Sequence, residues 1–345
     1  MSAKDFLKAI KPNDSVVIIF NNDADGMCSC VLLSLFLDNF VKIENKPFII
    51  PQPMPMDKNL IQRIQTTLPT KLIFLDLAAD QQQNMLKRFS GICNILIIDH
   101  HQVTKNMNNK TITHHNPRFK NSKIYQSTAY LTYKICSELT DMSDYLWIAA
   151  VGMVADYNLD DSGDLVEAAK KKYRITELRD SIISKIAEMI SASRATRALS
   201  NEEIVNIIII TKNPDDFPEA NDKLIDSYKK IETEIMAIMI DTEKSSEKTG
   251  KIIFYNIKSK FNLRSDISTR ISEKYPDKLV VIYEISGNRV KLSARNQKNI
   301  DVGKILEKAS EKMDASAGGH DKAAGATLNI KDWEAFKENL ISLLG

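Results

Sequence analysis

Three short apolar runs, each ending abruptly in polar residues, organise the first part of the chain. Val16-Val17-Ile18-Ile19-Phe20 runs into Asn21-Asn22-Asp23-Ala24-Asp25-Gly26, Leu72-Ile73-Phe74-Leu75 into Asp76, and Leu96-Ile97-Ile98 into Asp99-His100-His101. Continuous β-branched runs of this length read as strands buried on both faces. Between them, 57–67 and 81–89 have amphipathic helical spacing, with Asp80 placed to cap the second. The stretch MCSCVLLSLFLDNF after Gly26 is apolar nearly all round, the pattern of a helix buried against a sheet. A leading helix over 3–10 and a further strand at Phe48-Ile49-Ile50 complete the set. Strand–helix alternation of this kind predicts parallel βαβ units.

The pattern then turns helical. Helices are expected over 128–139, beginning at Ser127-Thr128, and over 142–155, ending at Asp156, with helical hairpins in 165–192 and 201–212. Pro214 and Pro218 mark a break, and 219–247 reads as one long charged helix. A second α/β pattern follows: a strand at 252–255, a helix over 264–274, and a β-hairpin, 279–285 with 289–293, turning at Ser286-Gly287-Asn288. A helix over 302–313, a glycine-rich stretch at 317–320, a strand at 326–330 and a helix over 332–343 follow. This predicts an α/β protein: a parallel-sheet domain in 1–195, a helical connector in 196–248, and a smaller α/β domain in 249–345.

Composition narrows the picture. At 345 residues two domains are the default. The 47 basic and 45 acidic residues nearly cancel, so any positive groove for nucleic acid must be local. Cys28, Cys30, Cys93 and Cys136 form no C-x-x-C pair, which removes a zinc knuckle or thioredoxin-like motif and fits free thiols in a reducing compartment. The N-terminus MSAKDFLKAIKPNDS is polar, and no apolar run reaches the ~20 residues of a spanning helix, so a cytoplasmic location without membrane partners is expected.

The chemistry lies at the strand ends. In an open α/β sheet, ligands bind outside the carboxyl ends of the strands. Asp23, Asp25, Asp76, Asp99, His100 and His101 would gather there, and clustered carboxylates cannot all ionise without a cation. Residues i and i+2 of an extended segment point the same way, so Asp23 and Asp25 can face one crevice. Alone, that loop also reads as an Asx-type turn with Asp25 capping the following helix, and Asp76 alone as a cap or turn residue. Paired imidazoles behind a buried strand have fewer bland explanations. Asp156 at a helix C-terminus opposes the helix dipole, which points to something positive facing it. His114-His115, in T-I-T-H-H-N-P, reads as a polar loop.

The order D-x-D, D, D-H-H, D resembles the DHH phosphoesterase superfamily, and Gly318-Gly319-His320-x-x-Ala323-Ala324-Gly325, preceded by Ser293-Ala294-Arg295, is similar to its DHH-associated C-terminal domain. Within the superfamily the Asp-Ala-Asp-Gly loop and the length resemble archaeal RecJ-like exonucleases. The resemblance implies Asp23 on one metal, Asp25 on the other, Asp76 bridging, and His100 and Asp156 completing the second. It also implies Asp99 as an orienting group, His101 on the substrate phosphate, and Arg295, Gly318, Gly319 and His320 as substrate-binding. Two Mn²⁺ or Mg²⁺ ions, about 3.5–4 Å apart, would activate a water for hydrolysis. Asn21 and Asn22 depart from the family, which commonly places a His or Asp there, so the first metal is expected to be weakly held. The implied function is a metal-dependent phosphodiesterase acting as an exonuclease on single-stranded DNA or RNA, or on short oligonucleotides. The alternatives are a small-nucleotide phosphatase or phosphodiesterase, of the 3′-phosphoadenosine 5′-phosphate or cyclic-dinucleotide type, and a weakly active replicative-helicase scaffold that binds GINS.

Overall fold

The computed structural model describes residues 1–53, 59–157, 159–298, 300–319 and 321–344, and the chain divides into two compact units, Met1–Tyr228 and Lys229–Gly345. In the first, α1 (Ala3–Lys8) is closed by a Ser2–Asp5 capping box. Then come β1 (Val16–Asn21), α2 (Ala24–Phe36), β2 (Phe48–Gln52), α3 (Leu60–Thr67), β3 (Lys71–Leu75), α4 (Gln83–Ser90), β4 (Asn94–Ile98) and β5 (Ile112–His115). Helices α5 (Thr128–Ser137), α6 (Leu146–Ala155), α7 (Gly163–Tyr173), α8 (Ile182–Thr196) and α9 (Asn201–Ile210) follow, then α10 (Asp222–Ser245), which runs into the second unit. The expected connector 196–248 is thus shared: α9 packs on α2 and β2, while most of α10 belongs to the second unit.

The five strands are all parallel, in the order β2-β1-β3-β4-β5. Alternate residues of each strand feed opposite cores, as the two-residue period of a strand requires. Ile18, Phe20, Ile73, Leu75, Leu96 and Ile98 join α2, α5, α6, α8 and α9 on one face. Val17, Ile19, Leu72, Phe74, Ile95 and Ile97 join α3 and α4 on the other. Burial on both sides explains the continuous apolar runs. Every residue of α2 is buried. The segment Ala24–Val41 passes a length-and-composition test for a membrane span, but it is 78% buried within the unit, as a core helix is.

Three expectations change. His114 and His115 do not lie in a loop: they end the edge strand β5, paired beside Ile97 and Ile98. Asp80 does not cap α4. It sits in a short 3-10 turn, and its carboxylate accepts from the Thr104 and Lys105 backbones at 2.6 and 2.8 Å, pinning the loop after β4. Asp25 does not cap α2, because Asp23 holds that position and accepts from the Gly26 N–H at 2.9 Å.

The second unit is built from β6 (Glu247–Thr249), β7 (Ile252–Asn256), α11 (Arg264–Lys274), β8 (Leu279–Ser286), β9 (Arg289–Arg295), α12 (Val302–Ala309), β10 (Ala315–Gly319), β11 (Ala323–Asn329) and α13 (Trp333–Leu344). Its six-stranded sheet has the order β10-β11-β9-β8-β7-β6, with only β7–β8 parallel. The glycine-rich stretch becomes an edge strand: Gly318 and Gly319 pair with Gly325 and Ala324. A Cβ on Gly319 would fall 2.5 Å from Ala324 Cα, at a φ of +152° that side chains disfavour.

Candidate metal centre

The strand order 2-1-3-4-5 has its topological switch between β1 and β3, where an open parallel sheet presents a crevice. Asp23 and Asp25 follow β1, Asp76 follows β3, and Asp99-His100-His101 follow β4. The loops bring these groups together.

Local backbone requirements fix the positions. The turn from β1 into α2 is so tight that a Cβ on Gly26 would lie 2.1 Å from the Asn21 carbonyl oxygen, so only glycine fits. Asp76 adopts φ +59°, a left-handed conformation that Asp tolerates better than most residues, and its N–H donates to Ile98 O at 3.0 Å. Asp25 faces the N-terminus of α5, where Thr128 and Ala129 donate their free backbone N–H groups to its two oxygens at 2.7 and 2.9 Å. The Thr128 hydroxyl donates to Asp76 at 3.2 Å. Thr128, read from sequence only as part of a helix start, therefore also organises two carboxylates.

His100 lies between two acids, with Nε2 3.1 Å from Asp76 Oδ1 and Nδ1 3.5 Å from Asp156 Oδ2. Asp156 is the C-cap of α6, and Tyr125 donates to its other oxygen at 3.1 Å. Two groups of side chains have ligand atoms close enough for one ion each: Asp76, His100 and His101, and Asp25, His100 and Asp156. Neither includes Asp23. Its carboxylate is linked to Asp76 through Asn21, whose amide nitrogen donates to both, at 2.5 and 3.2 Å. Asn22 Oδ1 accepts from Arg194 of α8 at 3.3 Å, a contact no motif in the sequence signals.

The electrostatics favour a cation. Burial first, then repulsion among neighbouring carboxylates, raises Asp25 and Asp76 well above the ordinary range. Asp156 is also raised, again chiefly by burial. His100 Nδ1 and Asp156 Oδ2 are buried and face each other at 3.5 Å without a hydrogen bond, an arrangement that is expensive in a protein interior and that a cation between them would resolve. Carboxylate oxygen and imidazole nitrogen together are donors to divalent cations. The residues present therefore fit a divalent cation.

His101 is set apart. Burial alone would lower it, but Asp99 at 2.7 Å, with Asp76 and Asp156 beyond, lifts it to about 10. Asp99 is pulled the other way: against its burial, His101 holds it below the usual carboxylate range. The pair is an imidazolium–carboxylate couple at neutral pH. His114 packs edge-on against Phe119 at 4.8 Å, and burial lowers it. Neither His114 nor His115 belongs to a group able to hold a metal among the described residues.

In the second unit, Arg295 ends β9 and donates to the Ser265 hydroxyl at 3.2 Å. Gly318 and Gly319 lie in β10, and His320 falls outside the described residues.

Comparison with known proteins gives the class. The DHH family N-terminal domain matches residues 15–155 and the DHHA1 domain matches 250–345. The chain belongs to the DHH superfamily of phosphoesterases, and its two-part α/β fold is similar to that of RecJ. Among solved structures, RecJ from Thermus thermophilus in complex with Mn²⁺ superposes with a TM-score of 0.73 at 18% identity, covering 99% of this chain and 54% of that one. A pGpG-specific phosphodiesterase from Vibrio cholerae gives 0.51 at 13% identity (96% and 99% covered). CDC45 from Entamoeba histolytica gives 0.50 at 10% (99% and 97% covered). At these identities the likeness is one of fold, and the chain spans about half the length of the Thermus RecJ. No curated protein sequence matches it.

Proposed function

We propose that the first unit is a divalent-cation-dependent phosphodiesterase that removes nucleotides from single-stranded DNA or RNA, or cleaves short oligonucleotides. The observation that carries this reading is the convergence of Asp25, Asp76, His100 and Asp156 at the switch point, with His100 Nδ1 and Asp156 Oδ2 buried 3.5 Å apart and without a hydrogen bond.

Asp25, Asp76, His100 and Asp156 hold the cation, with Asp23 as a ligand to a second, weaker one. A divalent cation bound here supplies Lewis-acid polarisation of the phosphodiester and of the attacking water. The chain's own residues do the rest. His101, held by Asp99 and 35% exposed at its side chain, presents an imidazolium N–H to a phosphate oxygen. The α5 N-terminus fixes Asp25 and Thr128 fixes Asp76, so the carboxylates are oriented before substrate arrives. In the second unit, Arg295, Gly318, Gly319 and His320 are the substrate-binding groups that the family resemblance implies, an arginine and glycine backbone being suited to phosphate. RecJ of Thermus thermophilus, whose structures contain Mn²⁺ or Mg²⁺, supports the choice of metal.

The test is a panel of end-labelled single-stranded DNA, RNA and linear and cyclic dinucleotides incubated with Mn²⁺. Release of mononucleotides from the strands, abolished by Asp76→Ala and by EDTA, is the expected result. Cleavage of dinucleotides alone would move the assignment to the small-nucleotide alternative. Metal-loaded protein that cleaves nothing yet co-purifies with GINS would replace the enzyme reading with the scaffold.

A further inference from the structure

Residues 116–127, between β5 and α5, look like an ordinary polar loop, yet they enclose a buried arginine. Arg118 is 9% exposed. A guanidinium in that position requires compensation, and here the acceptors are backbone carbonyls. Nε donates to His100 O at 2.7 Å, and Nη1 donates to Ser122 O at 2.5 Å. The guanidinium also lies over the Tyr125 ring, 5.6 Å from its centroid. Tyr125 is held on its own side by a hydrogen bond from its N–H to Asp161 Oδ2 at 2.8 Å. Its ring packs against the His100 imidazole with centroids 5.0 Å apart, and its hydroxyl donates to Asp156 Oδ1 at 3.1 Å and to Asp156 O at 3.4 Å.

Two neighbouring side chains thus grip both halves of one ligand pair. Arg118 fixes the backbone that carries His100. Tyr125 fixes the plane of its ring and occupies one oxygen of Asp156. The atom of each that makes no hydrogen bond is the one directed toward the other: His100 Nδ1 and Asp156 Oδ2, 3.5 Å apart. We infer that Arg118 and Tyr125 are positioning residues that act as a unit to set the cation affinity of the His100–Asp156 pair. The inference rests on the reading that this pair binds a divalent cation. A fork of donors with its charge over the ring is what the position uses. A lysine would offer one point charge, unable to meet both carbonyls with the same geometry.

The experiment measures free Mn²⁺ by electron paramagnetic resonance during titration of the full-length protein, its Tyr125→Phe and Arg118→Lys variants, and the double variant. Melting in EDTA is recorded alongside. Tyr125→Phe keeps the ring and removes only the hydroxyl, and is expected to weaken the tightest Mn²⁺ site about tenfold, the usual effect of losing a group that orients a ligand. Arg118→Lys is expected to weaken it by a similar factor. If the two act as a unit, the double variant loses no more than the larger single loss. A merely structural pair would lower the EDTA melting temperature while leaving Mn²⁺ affinity of the folded protein unchanged. Wild-type affinity in Tyr125→Phe, or fully additive losses in the double variant, would overturn the inference. Wild-type protein that binds no Mn²⁺ would instead overturn the metal reading itself, so the two failures are distinguishable.

Discussion

Asn21 is the residue on which the strength of the site turns. Its amide nitrogen bridges Asp23 and Asp76, so a neutral donor stands between two carboxylates where a cation would otherwise reach both. Replacing that donor by a carboxylate reverses its role. Asn21→Asp removes two hydrogen bonds to charged acceptors and adds a like charge, so the metal-free protein is expected to lose about 1.5–3 kcal/mol, the worth of a hydrogen bond to a charged group. With Mn²⁺ present, the added charge raises ligand number and affinity. Melting in EDTA and Mn²⁺ titration should therefore move in opposite directions. If neither moves, Asn21 does not face the cation. Much of the site at this scale was legible in sequence, because Asp76 and Asp99-His100-His101 stand at the ends of apolar runs that announce buried strands. The capping of α2, assigned to Asp25 and made by Asp23, was not. Which of two aspartates caps α2 depends on where the N-terminus of α5 arrives, and that contact joins residues more than a hundred positions apart. Arg118 and Tyr125 escaped for the same reason, since polar residues in a loop look solvated until the fold encloses them.

At the scale of elements, the site depends on how closely α2, α5 and α6 approach behind it. Gly152 is their meeting point. A Cβ there would lie 2.4 Å from Ala129 Cβ, 2.8 Å from Asp25 Oδ1 and 3.3 Å from Cys28 Cβ. Gly152→Ala should separate α6 from its neighbours at a stability loss of about 1–3 kcal/mol, as overpacking does. It also presses on a proposed ligand, so Mn²⁺ affinity should fall with it. Thermal melts with and without Mn²⁺ check this, and a variant with a lower melting temperature but unchanged affinity would show that the strain relaxes away from Asp25. The strand pattern was read correctly wherever four or more apolar residues ran together. It failed at β5, at β6, whose Glu-Lys-Thr continues the charged pattern of the helix before it, and at β10, and each failure has a physical cause. β5 is a short edge strand ending in two histidines, too brief for a period to show. β10 is Ala-Ser-Ala-Gly-Gly, whose composition signals a loop, and its pairing with β11 arises from small residues that let backbones approach.

Summed over the first unit, the site makes stability depend on pH and metal together, and the sign follows from the direction of each shift. Asp25, Asp76 and Asp156 are raised in the folded protein above their ordinary value of 3.8. The metal-free fold therefore keeps protons that the unfolded chain releases, and its stability falls as pH climbs above about 4 toward the raised values. His101 and Asp99 shift in the sense that favours folding. The His101 contribution is fully present below its ordinary 6.5 and is lost as pH rises through about 10. That of Asp99 is present above 3.8 and is lost in acid. Between pH 5 and 7.5 the Asp99 contribution is already complete, while the buried carboxylates and, above 6.5, His101 all lower stability as pH rises. A divalent cation competes with their protons, so it binds more tightly as pH rises. The melting temperature in EDTA is expected to fall from pH 5.0 to pH 7.5, and the increase on adding saturating Mn²⁺ to be larger at pH 7.5. Substituting Asp76→Asn removes one of the competing carboxylates and should flatten both trends. Equal Mn²⁺ stabilisation at the two pH values would mean that the carboxylates are already ionised without metal, and that the cation is not what balances their charge.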